Sequence, residues 1–311
     1  MDQSDTYSVN SAAPPVASGA TKDGVTAGGL LTGVITAAIF AGALGLRPRL
    51  VFGLVVLAAV FIPVERVFGL RPQRVFRRGW ATDLVHFVAD NFFSLAGIAI
   101  VVIVMGTLLR AAVPAGFRTE VHRQSALLQF VEAILLAEVG GYWGHRAAHR
   151  VPFLWRFHRV HHSIAEMDWL ASGRVHPIDQ VFLRSCSILP IVAFGFTRAT
   201  FGAFLAVSTL QAIFVHANVR WKFGPLRWLV STPEFHHWHH ANDPVAYNSN
   251  FAGEFPWIDA LFGTLHLPRN RMPVQYGIAD AVPDGYLHQL AWPMRRAGRP
   301  TELVATPSPA S

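Results

Sequence analysis

Histidine is the residue type whose number and spacing point to chemistry in this sequence. The 311 residues include 15 histidines, and most of these lie between His145 and His240. Imidazole nitrogens bind zinc, copper, iron and nickel. The single cysteine, Cys186, excludes an intrachain disulfide and a cysteine-based zinc site. We therefore expect a metal site whose ligands are imidazoles.

Three short motifs place these histidines at helical spacing. GYWGHRAAHR holds two histidines four residues apart, and WRFHRVHHS and PEFHHWHHA each contain H-x-x-H-H. Residues at these intervals share one face of a helix. One such pair arises easily by chance, but three motifs in a short span predict a metal centre. The eight predicted ligands are His145, His149, His158, His161, His162, His236, His239 and His240. His237 lies off that face, and its role is left open.

Two isolated histidines are further candidate ligands. His176 occurs in GRVHPID and His216 in FVHANV, where an apolar run ends. A lone histidine is usually a hydrogen-bonded core or cap residue, but the neighbouring motifs favour a ligand role for both. Ten imidazoles exceed the roughly four to six ligands that one ion takes, so the sequence predicts two metal ions.

Two residues upstream of the first motif continue the same helix face. These are Glu138 and Tyr142, and Glu138 lies inside an apolar run. An ionisable residue in such a run is costly and is a functional candidate, although an acid paired elsewhere is the alternative. We predict catalytic roles for both, and we expect Glu138 and Asp179 to orient ligand rings.

The composition indicates that these motifs are carried by a membrane protein. The chain is 52% hydrophobic and only 14% charged, with a mean hydropathy of +0.33. Soluble domains average about 25% charged residues. The net charge is +7, but the arginines flank apolar runs, which favours anionic membrane lipids over nucleic acid as partners.

The apolar runs predict an all-α, multi-pass transmembrane bundle. Four membrane helices are expected at about 28–46, 50–64, 91–109 and 126–143. A shorter apolar pair at about 181–215 predicts a re-entrant or shallow hairpin within a histidine-rich helical catalytic domain, 144–292. The tails, 1–27 and 293–311, are expected to be disordered, and the first of them does not resemble a cleaved signal peptide.

The arginines predict the orientation of the bundle. Five of them lie between the second and third runs, at Arg66, Arg71, Arg74, Arg77 and Arg78. The positive-inside rule places this loop in the cytoplasm, and the fourth run then returns the first histidine motif to the same side. The composition favours a bacterial inner membrane.

The motifs, in their order, resemble the fatty-acid hydroxylase and sterol desaturase superfamily. The matching stretch runs from about Glu138 to Thr264 and includes LAEVGGYWGHRAAHR, LWRFHRVHHS, RVHP, VHANV, STPEFHHWHH and NSNFAGEFPWIDALFGT. The resemblance implies two iron ions that activate O2 to hydroxylate or desaturate a lipid. It also implies a cytoplasmic site and an external electron donor, such as a ferredoxin, a cytochrome or a flavoprotein reductase. Zinc is a possible occupant in purified protein.

The resemblance also adds residues to the candidate site and leaves alternatives open. Asn248 and Asn250 match an asparagine-rich element of the family and are candidate catalytic residues through hydrogen bonding, with a simple turn as the alternative. A membrane hydrolase with two zinc ions, a non-catalytic metal-binding protein and a bis-histidine haem protein are the rival functions. The motifs do not identify the lipid.

Overall fold

A computed structural model describes residues 48–294 of the chain. The predicted first membrane helix at 28–46 and the N-terminal tail lie outside the described residues, as does most of the C-terminal tail. The bundle and the histidine motifs lie within them.

The described residues form α-helices that are joined by loops and short 3-10 turns, with no strand longer than an isolated bridge among them. The α-helices are α1 Pro48–Phe68, α2 Trp80–Ala112, α3 Ala115–Arg123, α4 Ala126–Arg150, α5 Pro152–His162, α6 Pro177–Phe194, α7 Arg198–His216, α8 Pro233–His239, α9 Pro256–Leu261 and α10 Tyr286–Ala291. Five of these, α1, α2, α4, α6 and α7, are long and apolar enough to cross a membrane. The predicted all-α, multi-pass membrane fold is therefore confirmed.

The predicted hairpin at 181–215 forms two longer helices than the apolar pattern indicated. Helix α6 has 18 residues and begins at Pro177 rather than Val181. The apolar pattern missed its first turn, since that turn contains a proline and the charged Asp179. Helix α7 has 19 residues. Both reach the length that a membrane span needs, so the shallow hairpin stays a prediction.

Close helix contacts hold α6 against α4. Gly140 and Gly144 lie four residues apart on α4, which is the small-residue spacing that lets membrane helices approach closely. A Cβ atom on Gly140 would lie 2.2 Å from the Cys186 carbonyl oxygen, and one on Gly144 would lie 2.8 Å from the Cys186 side chain. Only glycine fits at these two positions, so the sequence of α4 fixes where α6 lies beside the histidines.

A buried ion network ties the arginine-rich loop before α2 to the rest of the fold. The Arg77 guanidinium lies 2.7 Å from the Asp83 carboxylate and 2.5 Å from the Asp168 carboxylate. Arg174 pairs with the other oxygen of Asp83. All four side chains are buried, so each charge is compensated by a partner. This network fixes the segment that precedes α6.

Candidate metal centre

Four helices converge to bring histidines from distant parts of the chain together. Helix α4 carries the first motif near its C-terminus, and Pro152 starts α5 directly afterwards, so the second motif faces the first. The C-terminus of α7 supplies His216, and α8 supplies the third motif. Thr232 caps the N-terminus of α8 by accepting a hydrogen bond from the Phe235 amide at 3.3 Å.

The histidines form two adjacent groups. The first group contains five rings, from His145, His149, His158, His162 and His239, and the second contains four, from His161, His216, His236 and His240. Within each group, the ligand nitrogens all lie within 4.8 Å of one another. The two groups touch, because the rings of His162 and His240 stack with centroids 4.5 Å apart.

Hydrogen bonds on the outer side of the rings determine which nitrogen faces inward. The Nδ1 atoms of His145, His161 and His239 contact the carbonyl oxygens of Phe251, Arg174 and Ser249 at 2.7, 3.0 and 2.8 Å. A carbonyl oxygen only accepts, so each Nδ1 carries the hydrogen and each Nε2 carries a lone pair.

Two further rings have the same arrangement. His216 Nδ1 donates to the Ala212 carbonyl at 2.7 Å, and His158 Nδ1 lies 2.9 Å from the Asp179 carboxylate. A carboxylate or carbonyl behind the ring is the usual way in which a protein orients a metal-binding histidine. Asp179 thus lies where the sequence analysis expected it, behind a ligand ring.

The inward nitrogens fit a bound cation better than they fit one another. His158 Nε2 lies 3.1 Å from the Nε2 atoms of His145 and His149, and His236 Nε2 lies 3.1 Å from that of His240. Two nitrogens bound to one ion at about 2.1 Å are separated by roughly 3.0–3.4 Å, depending on the bond angle. The Nε2 atom of His239 has no hydrogen-bond partner in the described chain. The donor set therefore fits metal binding.

Burial keeps the imidazoles in the form that binds metal. Desolvation lowers the pKa of His161, His162, His236 and His240 well below the ordinary value, and neighbouring histidines lower each further. Desolvation also lowers the pKa of His239 to about 3. These rings are neutral at physiological pH, as metal binding requires.

His176 is the one predicted ligand that the structure does not place in either group. It caps the N-terminus of α6, where its Nδ1 accepts a hydrogen bond from the Ile178 amide at 3.2 Å. Its Nε2 donates to the Leu290 carbonyl at 3.1 Å. Both ring nitrogens thus have protein partners, which corrects the ligand prediction to a capping role. The proline that follows it in RVHP, at the first position of α6, is consistent with a cap.

Glu138 and Tyr142 lie on α4 but contact the segments on either side of α9 rather than joining a histidine group. The Glu138 carboxylate accepts hydrogen bonds from the backbone amides of Glu254 and Phe255 at 3.1 and 3.2 Å. The Tyr142 hydroxyl contacts the Thr264 hydroxyl at 2.9 Å. Neither residue occurs in the two groups. These contacts show a structural part for both, and a catalytic role stays a prediction.

The two predicted asparagines shape the same loop. Both have left-handed backbone conformations, with φ of 59° at Asn248 and 58° at Asn250. The buried Asn250 amide donates to the carbonyls of Phe235 and His266 at 2.9 and 2.8 Å, and its oxygen accepts from the His266 amide. Asn248 is exposed. Asn250 thus fastens the loop to α8, whereas Asn248 occupies a turn.

Several aromatic residues near the centre were not among the predicted site residues. Tyr276 contacts His237 Nδ1 through its hydroxyl at 2.8 Å, which places His237 outside both groups. Phe251 packs against His149 at 5.1 Å between ring centroids, and Trp155 packs against the same ring at 5.2 Å. Tyr276 and Phe251 are single aromatic residues in loops and have no periodicity, whereas Trp155 lies on α5 within the second motif. Only the fold shows which histidine rings these three residues contact.

Comparisons with known proteins agree with the resemblance found in the motifs. Residues 130–264 match the family model described as fatty acid hydroxylase. The chain is 36% identical over 183 residues to the ornithine lipid hydroxylase OlsE of Rhizobium tropici, covering 57% of this chain and 55% of that protein.

More distant relatives match the same part of the chain. The alkylglycerol monooxygenase of Xenopus tropicalis is 30% identical over 145 residues, covering 47% of this chain and 32% of that protein. A putative methylsterol monooxygenase of Dictyostelium discoideum is 26% identical over 140 residues, covering 44% and 51%. The chain thus spans about a third to about half of the length of these relatives. No solved structure matches it.

Proposed function

We propose that this protein belongs to the fatty acid hydroxylase superfamily and is a membrane-bound, metal-dependent oxygenase that hydroxylates a lipid with O2. The convergence of nine histidines, seven of them buried, with their Nε2 atoms facing one another, is the observation that carries the proposal. The names of the matched relatives, a lipid hydroxylase and two monooxygenases, support hydroxylation over desaturation.

The two histidine groups would hold two iron ions, one each. Five imidazoles surround the first position and four surround the second. Bound iron would supply the activation of O2 and the oxidation of a C–H bond. Hydroxylation uses one O2, two electrons and two protons and yields the alcohol and water, so an external donor must supply the electrons. A ferredoxin, a cytochrome or a flavoprotein reductase would serve.

The residues of the chain keep this centre ordered and dry. Asp179 and the carbonyl oxygens behind the rings hold the imidazoles in one tautomer and orientation. Phe251 and Trp155 cover the first group with aromatic surface, which excludes water. The apolar helices of the bundle would receive the lipid chain.

The packing of the arginine-rich loop supports a cytoplasmic site, and the composition favours a bacterial inner membrane as its location. Gln73, in that loop, donates to the Met167 carbonyl at 2.7 Å, just beyond the second histidine motif. Arg71 donates to the Val274 carbonyl at 3.0 Å. The loop and the histidines therefore lie on one side of the bundle, and the positive-inside rule assigns that side to the cytoplasm.

Metal analysis combined with lipid turnover tests the proposal. Protein expressed with labelled iron should contain about two coupled irons per chain by Mössbauer spectroscopy, and it should add oxygen from O2 to a lipid when a reductase is supplied. His161→Ala and His239→Ala, one from each group, should each lower the metal content, whereas His176→Ala should not.

One result would favour a rival. Zinc as the only bound metal after anaerobic iron loading, with no O2-dependent product, would favour a zinc hydrolase or a non-catalytic metal-binding protein. Among the described residues, neither histidine group contains a carboxylate, and this argues against a hydrolase, because hydrolytic zinc sites commonly combine histidine with carboxylate and a water.

A further inference from the structure

The segment that connects α7 to α8 lies at the level where two membrane helices end. The Arg220 amide donates to the carbonyl of Phe68, the last residue of α1, at 2.9 Å. The Phe68 and Trp221 rings pack with centroids 5.4 Å apart. Helix α7 ends four residues earlier, at His216. Because α1 and α7 both end here, this segment lies at the boundary between the apolar core and the aqueous side.

The surface of the same segment has the composition of a membrane interface. Leu226, Trp228 and Leu229 are 57%, 43% and 56% exposed. Basic residues, Lys222 and Arg227, alternate with them in the sequence. Tryptophan and basic side chains beside apolar residues are characteristic of the headgroup region of a bilayer. The segment is therefore suited to contact lipid headgroups.

A cavity of about 390 Å³ opens beside this segment. Its lining includes Lys222, Arg227, Trp228, Glu234 and Arg269. Within it, Arg227 pairs with the buried carboxylate of Glu234 at 2.9 Å. The lining contains three basic residues, Lys222, Arg227 and Arg269, and one acidic residue, Glu234, so its net charge is positive. The volume falls within the range of about 300–1,000 Å³ that is common for small-ligand sites.

We infer that this cavity binds the anionic group, a carboxylate or a phosphate, in the headgroup of the substrate lipid. Lys222 and Arg269 would attract the oxyanion, and Trp228 would contact the glycerol or amide region beside it. The Arg227–Glu234 pair would hold the cavity open, because Arg227 also donates to the Leu267 and Pro268 carbonyls at 3.0 Å. This inference rests on the proposed function, since it assigns the substrate's headgroup.

The position of the cavity on α8 sets which part of the lipid can react. Glu234 and the candidate ligand His236 are two residues apart, so they point to nearly opposite sides of the helix. A helix is roughly 10 Å across. A headgroup held in the cavity that Glu234 lines is therefore separated from the histidine groups by α8, and the oxidised carbon must lie several bonds away from the anionic group.

Lipid binding under anaerobic conditions tests the inference without requiring turnover. The full-length, metal-loaded protein in detergent is titrated with dihexanoyl ornithine lipid, dihexanoyl phosphatidylglycerol or uncharged dihexanoylglycerol, and affinity is measured by calorimetry. The test variant is Lys222→Ala with Arg269→Ala. The matched control is Arg220→Ala with Arg271→Ala, which removes two cations that are each two residues from the tested ones and do not line the cavity.

The expected result is selective. The test variant should bind at least one of the two charged lipids roughly 30-fold more weakly, at about 5-fold per cation removed, and bind dihexanoylglycerol unchanged. The more affected lipid identifies carboxylate or phosphate as the group recognised. Equal weakening by the control variant, or no weakening of either charged lipid, would overturn the inference. The inference would also be overturned if the test variant bound lipid normally but accepted electrons slowly from its donor. In that case the cavity would be a docking site for the donor protein. If the protein bound the charged lipid selectively but showed no O2-dependent turnover, the proposed oxygenase function would be wrong and the headgroup site would still stand.

Discussion

Replacing Asp179 by asparagine should weaken metal binding at the five-histidine group without unfolding the protein. Asp179 is 3% exposed, and its carboxylate lies 2.9 Å from His158 Nδ1. His158 is central to its group, with its Nε2 within 3.2 Å of the Nε2 atoms of His145, His149 and His162. A disturbance of this ring thus reaches three other candidate ligands.

The size of the effect follows from the tautomer of the ring. The carboxylate only accepts, so it fixes the hydrogen on Nδ1 and leaves Nε2 free to bind a metal. An asparagine amide can instead donate to Nδ1, which would place the hydrogen on Nε2, inside the group. Loss of the hydrogen-bond partner behind a metal-binding histidine costs about 10- to 100-fold in metal affinity. This factor corresponds to about 1.4–2.7 kcal/mol.

Competition with a chelator measures this loss directly. The metal retained by Asp179→Asn is compared with that retained by the wild type and by Asp280→Asn over a range of chelator concentrations. Asp280 is a suitable control because its half-exposed carboxylate pairs with Arg159 at 2.9 Å and belongs to neither histidine group. An Asp179→Asn protein that kept its metal as well as the Asp280→Asn control would refute the reasoning.

Three further changes test other parts of the structure. Glu138→Ala should destabilise the fold by about 1–3 kcal/mol, because the backbone amides of Glu254 and Phe255 would lose the carboxylate that accepts their hydrogen bonds. The melting temperature should fall while metal content is kept; lost turnover at an unchanged melting temperature would instead support the predicted catalytic role. Gly140→Val should destabilise the fold by about 1–3 kcal/mol or more, since its Cβ would lie 2.2 Å from the Cys186 carbonyl oxygen. The control is Gly53→Val on α1, where a Cβ meets nothing within 4 Å. Equal melting temperatures for the two variants would contradict the packing of α4 against α6. The metal-free protein should lose stability as the pH falls below about 6.5, the ordinary histidine value. The pKa of folded His239 is lowered to about 3, so the unfolded chain takes up the proton first, at about 1.4 kcal/mol per pH unit for this group. A thermal melting series from pH 7.5 to 5.5 measures this, and a flat series would contradict it.

The sequence by itself determined the local features of the protein. The apolar runs predicted the all-α membrane fold, and α1, α2 and α4 contain the runs at 50–64, 91–109 and 126–143. The spacing in the three histidine motifs placed each pair or triplet on one helix face. Both signals depend on residues within a few turns of one helix, so they can be identified without any knowledge of the tertiary structure.

The tertiary structure decided how these local features combine. His216 joins a group because α7 ends beside α8, whereas His176 caps α6 and uses both ring nitrogens there. The division into groups of five and four places His239 with α4 and its neighbour His240 with α7. The structure also gives Glu138 a partner 116 residues away in the chain. These are contacts between segments far apart in the sequence, and no spacing along one helix specifies them.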